Sequence, residues 1–78
     1  MLTPEHRTIL QQLKDAGGKM LTADDLQQLT NIEPIRISAI LADLTAHALL
    51  LESKSDERGG YWLYSLSETG RKFLDERG

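Results

Sequence analysis

The sequence has no cysteine, no long apolar run and no surplus of basic residues. The absence of cysteine excludes a disulfide framework, a thiolate zinc site and a thiolate-ligated iron–sulfur cluster, and it fits a cytoplasmic location. No uninterrupted apolar stretch exceeds that of Ala48 to Leu51, which is far too short to cross a bilayer. The first residues also lack the charged start and apolar run of a signal peptide. We therefore expect a cytoplasmic protein with no membrane partner.

What the chain does contain is typical of a single soluble globular domain. It has 78 residues, of which 40% are hydrophobic and 27% are charged. This composition is too apolar for a disordered chain. A domain of this size buries only about 60% of its unfolded surface. We therefore expect one domain over residues 1–78 with a thin core.

Apolar residues recur at helical spacing in three successive segments, and each segment follows a helix-start signal. The predicted helices run from Thr3 to Gly17, from Thr22 to Leu29, where Thr30 and Asn31 supply a turn, and from Glu33 to His47. Thr22 and Asp25 have the spacing of a capping box, with aspartate in place of glutamate. The predicted buried faces consist of His6, Ile9, Leu10, Leu13, Leu26, Leu29, Ile37, Ile40, Leu41 and Leu44.

Short strand signals separate and follow these helices. Lys19–Leu21 is a minimal strand, and Leu49–Leu51 precedes a polar hairpin loop over residues 52–60. The returning strand is Tyr61–Leu66, and Ser67 caps a final helix. The predicted fold is α+β but mostly helical. It is a winged helix-turn-helix with a three-helix core, a two-stranded wing, a minimal third strand and a C-terminal helix.

Several stretches in this order resemble MarR-like and ArsR-like winged-helix transcriptional regulators. The resemblance covers roughly residues 5–75. It rests on the segments 21–26 and 31–38, on Leu41 and Leu44, on Leu49-Leu50, on the polar tip 56–60 and on the segment 64–70. It differs at Ala48, where such proteins commonly have glycine, and at Glu33, where a hydroxyl cap is usual.

The resemblance implies a small regulator that binds double-stranded DNA, as a homodimer or within a larger assembly. The third helix would enter the major groove, and the wing would touch the backbone or the minor groove. The implied base-facing residues are Ile35, Arg36, Ser38, Ala39 and Ala42. The implied wing contacts are the cations Lys54 and Arg58, which Asp56 and Glu57 accompany. Arg36 is the candidate for paired hydrogen bonds to guanine.

The charge distribution favours an alternative without DNA. The third helix has Arg36 against Glu33 and Asp43, and the net charge of the chain is −3. Surfaces that neutralise phosphates are usually basic. The alternative function is therefore a winged-helix protein–protein interaction module. If DNA is the partner, binding should involve few ion contacts and be sensitive to salt.

Strand alternation indicates where a protein partner or a second copy would bind. Trp62, Tyr64 and Leu66 fall on one face of the returning strand, with Tyr64 and Leu66 in the core. The other, outward face would carry the apolar residues Leu51, Tyr61 and Leu63.

No catalytic or metal-binding pattern is present in the sequence. The serines lack a nucleophile motif, and the glycine pairs lack the spacing and the lysine of a phosphate loop. His6 and His47 have no further ligands at metal-site spacing, so His6 fits a helix face and His47 a helix end. We expect no enzymatic activity, no cofactor, no metal and no small-molecule substrate.

Overall fold

The computed structural model describes residues 3–17, 19–55 and 61–77. Helices α1 (Pro4–Asp15), α2 (Ala23–Thr30) and α3 (Pro34–Ala46) come first. Strands β1 (Leu50–Lys54) and β2 (Trp62–Leu66) form an antiparallel pair, and helix α4 (Glu68–Arg77) follows. The predicted order of elements is confirmed. No helix within these ranges is long and apolar enough to span a membrane.

Local hydrogen bonds explain where the first two helices begin. At α2, the Asp25 N–H donates to Thr22 Oγ1 and the Thr22 N–H donates to Asp25 Oδ2, each at 3.0 Å. The capping box predicted here is confirmed. At α1, the Thr3 N–H donates to His6 Nδ1 at 3.2 Å, so a histidine completes a second capping box. Sequence reasoning placed His6 on a helix face but missed this role.

The core lies where the helices meet the first residues of the wing. It contains every predicted helix-face residue except Leu29, which is exposed, and it includes His6, which is buried. The prediction is wrong at Leu29, which lies in the last turn of an eight-residue helix and is 55% exposed. The apolar members are Ile9, Leu10, Leu13, Leu21, Leu26, Ile32, Ile37, Ile40, Leu41, Leu44, Leu49, Leu50 and Leu74.

The first wing strand is longer than the sequence predicts, and the third strand is shorter. Strand β1 continues to Lys54, three residues into the predicted loop, and pairs Leu50 with Leu66 and Lys54 with Trp62. The sequence did not predict this extension because its residues are polar. Strand residues show apolar alternation only where one face of the sheet is buried, and this part of the wing extends beyond the core. The predicted strand at Lys19–Leu21 is reduced to one bridge between Leu21 and Tyr64. The predicted end of the hairpin loop at residues 59–60 lies outside the described residues.

The turn from α3 into the wing keeps a glycine-like conformation without a glycine. Ala48 has φ +58°, in the left-handed region that favours glycine. The Leu49 N–H then donates to Leu44 O at 2.9 Å and closes the helix end. Ala48 therefore adopts, at this turn, a conformation that glycine takes more readily.

Candidate nucleic-acid interface

Helix α3 presents one uncovered face. Because Ile37, Ile40, Leu41 and Leu44 face the core, the residues about half a turn away point outward. We call this outward side the front face; it consists of Ile35, Ala39, Ala42 and Ala46, all exposed. Ile35 is the most prominent of them, with 83% of its surface accessible. Three of the residues expected to face bases therefore lie together on this face, and Ala46 extends it.

Arg36 and Asp43 lie beside the front face and are held by α1. Glu5 Oε1 is 3.4 Å from Arg36 Nε, and Glu5 Oε2 is 3.4 Å from Arg36 Nη1. His6 Nε2 is 3.0 Å from Asp43 Oδ2, and the His6 side chain is only 7% exposed. Because Nδ1 accepts the Thr3 N–H, we assign the ring proton to Nε2, which donates to Asp43. Both side chains beside the front face therefore contact residues of α1.

On the opposite side of the front face, a groove of about 450 Å³ separates α3 from the wing. Ser38 and Ala42 line it from α3, Ala23 from the start of α2, and Glu52 and Tyr64 from the wing. Burial, and to a lesser extent the negative charge of Glu52, raises the pKa of Tyr64 above its ordinary value of 10.0. The groove therefore contains a carboxylate close to the surface that would approach phosphates.

The far end of the described wing carries a cation against an aromatic ring. Lys54 and Trp62 are cross-strand partners on the sheet face that also carries Glu52 and Tyr64. Lys54 Nζ is 6.0 Å from the centre of the Trp62 ring, and Trp62 is 47% exposed. This is within the range of a cation–π contact. Alternation had assigned Trp62 to the core-facing side of the strand, but the core ends before it. Arg58, Asp56 and Glu57 lie outside the described residues.

The outward face of the wing has one strongly exposed apolar residue and two that are less exposed. Leu51 is 59% exposed, Tyr61 is 41% exposed and Leu63 is half-buried. His47 ends α3 as predicted and contacts Asp43 O through Nδ1 at 2.8 Å. Within the described ranges, no group of three or more His, Asp or Glu side chains is placed to hold a metal ion.

Helices α2 and α3 form a helix-turn-helix, the outer face of α3 is uncovered, and a two-stranded wing follows. This combination defines a winged-helix domain. The family model for the winged helix DNA-binding domain matches residues 2–70. The chain belongs to this family. No curated protein sequence matches it significantly.

Solved structures of transcriptional regulators share the fold. BpsR of Bordetella bronchiseptica, whose DNA binding is regulated by 6-hydroxynicotinic acid, is 25% identical with a TM-score of 0.85, over 96% of this chain and 52% of that one. A MarR family regulator of Silicibacter pomeroyi is 26% identical with a TM-score of 0.73, over 87% and 43% of the two chains. The adhesin competence repressor AdcR of Streptococcus pyogenes is 22% identical with a TM-score of 0.82, over 97% and 53%. The chain thus spans about half the length of BpsR and of AdcR. The resemblance to MarR-like proteins is confirmed.

Proposed function

We propose that this domain is a transcriptional regulator that inserts the front face of α3 into the major groove of double-stranded DNA. The observation that carries the proposal is the uncovered α3 face in a chain of the winged helix DNA-binding domain family. In this proposal Ile35, Ser38, Ala39 and Ala42 contact base edges. The protein acts in the cytoplasm by binding, without catalysis.

The two described cations near this face have different roles in the proposal. Lys54 contacts a phosphate from the wing, and its contact with Trp62 holds the ammonium group in place. Arg58 adds a second wing contact. Arg36 reaches DNA when it leaves Glu5, and its planar guanidinium can then make paired hydrogen bonds to guanine.

Backbone amide NMR shifts recorded during titration with a short mixed-sequence duplex test the proposal. We expect changes at Arg36, Ser38, Ala39 and Lys54 at low salt, which become smaller at physiological salt. Trp62 is the single tryptophan of the chain, so its fluorescence should change in the same titration. No change at low salt would contradict DNA binding.

Two substitutions separate the proposed contacts. Arg36→Ala should weaken binding to a preferred sequence more than binding to others, because it removes a base contact. Lys54→Ala should weaken binding to all sequences equally. Lys72→Ala is the matched control, since it removes an exposed cation from α4 instead. Equal loss on every sequence for Arg36→Ala would contradict its role in base recognition.

A second candidate function is a protein-interaction module that uses the outward face of the wing. The exposure of Leu51 and Tyr61 and the net charge of −3 favour it. The same surface is the candidate contact for a homodimer, alongside Leu63. Sedimentation of the wild type and of Leu51→Arg tests this idea. A wild-type dimer that dissociates in the variant supports the surface, and a monomer in both excludes the homodimer.

A further inference from the structure

The front face of α3 presents hydrocarbon where a DNA-reading helix commonly presents polar groups. Ile35 is the most exposed large hydrophobic residue of the described chain. It stands in the first turn of α3, and Ala39 and Ala42 follow it on the same face. None of these side chains has a polar atom, so none can form a hydrogen bond to a base.

The polar residues beside this face are few and partly engaged. Glu5 holds Arg36, and His6 holds Asp43. Ser38 is exposed and borders the groove on the other side. A serine hydroxyl both donates and accepts, so it discriminates poorly between bases. Beyond the guanine contact proposed for Arg36, hydrogen bonding from Ser38 therefore adds little sequence specificity.

Apolar contact offers this helix another means of recognition. In the major groove, the distinctive apolar group on the base edges is the C5-methyl of thymine. We propose that Ile35 selects A·T base pairs by packing against thymine methyl groups, with the short side chains of Ala39 and Ala42 allowing close approach. This inference rests on the proposed DNA-binding function. From Ile35 to Ala42 the helix rises roughly 10 Å, the length of about three base-pair steps.

A protein partner is a poorer match for the same face. Stable protein interfaces bury about 800 Å² on each side and depend on aromatic or arginine anchors. One isoleucine followed by alanines offers no such anchor.

Uracil substitution isolates the methyl group from the rest of the base pair. A pool of duplexes with a random central segment is first selected for binding to the wild-type protein. The selected duplex is then remade with deoxyuridine at one thymidine at a time, which preserves pairing and removes only the methyl group. We expect an affinity loss of about fourfold at one or more positions, the value of one buried methyl group.

Repeating the measurement with two variants assigns the contact. In Ile35→Ala, the ratio of thymidine to deoxyuridine affinity should fall towards one at a sensitive position. Ile35 is largely exposed, so this change leaves the core intact. Leu29→Ala is the matched control, because it shortens an exposed apolar residue of α2 that belongs neither to the front face nor to the wing. There the ratio should stay as in the wild type.

The possible failures are distinguishable. If the selected duplex binds equally well with and without every thymine methyl, recognition by Ile35 is wrong while DNA binding stands. If a sensitive position stays equally sensitive in Ile35→Ala, the methyl is read by another residue and the inference is also wrong. If no duplex is bound even at low salt, both this inference and the proposed function are wrong.

Discussion

At the scale of single residues, two positions show how the wing is joined to the helices. Ala48 holds the turn after α3 at φ +58°, and Gly70 packs against the same turn from α4. Ser67 connects them, since its hydroxyl donates to Ala48 O at 2.7 Å and accepts the Gly70 N–H at 2.9 Å. The spacing of Ser67 and Gly70 after the wing strand thus has a structural reason.

Replacing Ala48 by glycine should stabilise the protein. A left-handed conformation costs a non-glycine residue about 1–2 kcal/mol, while glycine loses about 0.4–1 kcal/mol more in backbone entropy. The expected net gain in the free energy of unfolding is about 0.5–1 kcal/mol, measurable by urea denaturation. Ala42→Gly in the middle of α3 is the control and should lose about 1 kcal/mol. An Ala48→Gly variant no more stable than the wild type would contradict this account.

Replacing Gly70 by alanine should be strongly destabilising. A Cβ at this position would overlap the carbonyl oxygen of Leu49 and crowd the Leu66 side chain at 2.9 Å. Because the closest neighbour is backbone, relief requires movement of α4, and we expect a loss of about 1–3 kcal/mol or more. Thr69→Ala, one position earlier and exposed, should change stability by less than about 0.5 kcal/mol. Equal thermal midpoints for the two variants would show that the junction is not tightly packed.

The raised pKa of Tyr64 makes stability depend on alkaline pH. The folded state holds the phenolic proton more tightly than the unfolded state, so this contribution is complete below pH 10.0 and is lost as pH rises through the folded-state pKa. Glu52→Gln removes the smaller cause and should lower the midpoint of Tyr64 ionisation. Absorbance at alkaline pH in a Tyr61→Phe background measures it. An unchanged midpoint would leave burial as the sole cause.

At the scale of elements, α1 acts as the support of α3. The buried His6 of α1 contacts Asp43 of α3, and Glu5 of α1 forms an exposed ion pair with Arg36 of α3. Arg36 is the cation that we expect to reach DNA. Exposed pairs are worth at most about 1 kcal/mol. In the proposed complex, Glu5 and DNA therefore compete for Arg36, and DNA can replace Glu5 as its partner.

Glu5→Gln should accordingly raise DNA affinity by up to about fivefold, the equivalent of 1 kcal/mol. The gain should disappear in the Glu5→Gln, Arg36→Ala double variant, because it requires the guanidinium. Asp15→Asn removes the same charge at the other end of α1 and serves as the control. A gain of the same size for Asp15→Asn would assign the effect to net charge rather than to the pair.

At the scale of the whole molecule, the net charge of −3 limits how the domain can bind a polyanion. The described cations near the α3 face and the wing are Arg36 and Lys54, and Arg58 follows in the chain. Lys54 and Arg58 would contact phosphates and Arg36 a base, so these two or three cations per domain release few counterions. The slope of log K against log salt should therefore be only about −2 to −3 per domain. A much steeper slope, measured by fluorescence anisotropy, would require cations elsewhere on the surface.

Much of the fold follows from short-range sequence signals. The capping box at Thr22 and Asp25, the proline starts and the helical spacing of the core residues involve neighbours within a turn, and they predicted α1, α2 and α3 closely. The exposure of Ile35, Ala39 and Ala42 was predictable for the same reason. Ala46 continues their spacing, so the same signal could have found it. Trp62 was missed because alternation assigns a face but not the point where the core ends.

Packing alone decided the contacts that give the candidate site its properties. Glu5 meets Arg36 across 31 positions, His6 meets Asp43 across 37, and Ser67 meets Ala48 across 19. No periodicity encodes such pairs, because they depend on how the helices cross once their apolar faces are buried. The length of β1 also depended on its partner strand, since its polar residues are held by cross-strand hydrogen bonds. Local patterns therefore specified the elements of this domain, and tertiary packing specified which side chains beside the front face of α3 are engaged by other helices.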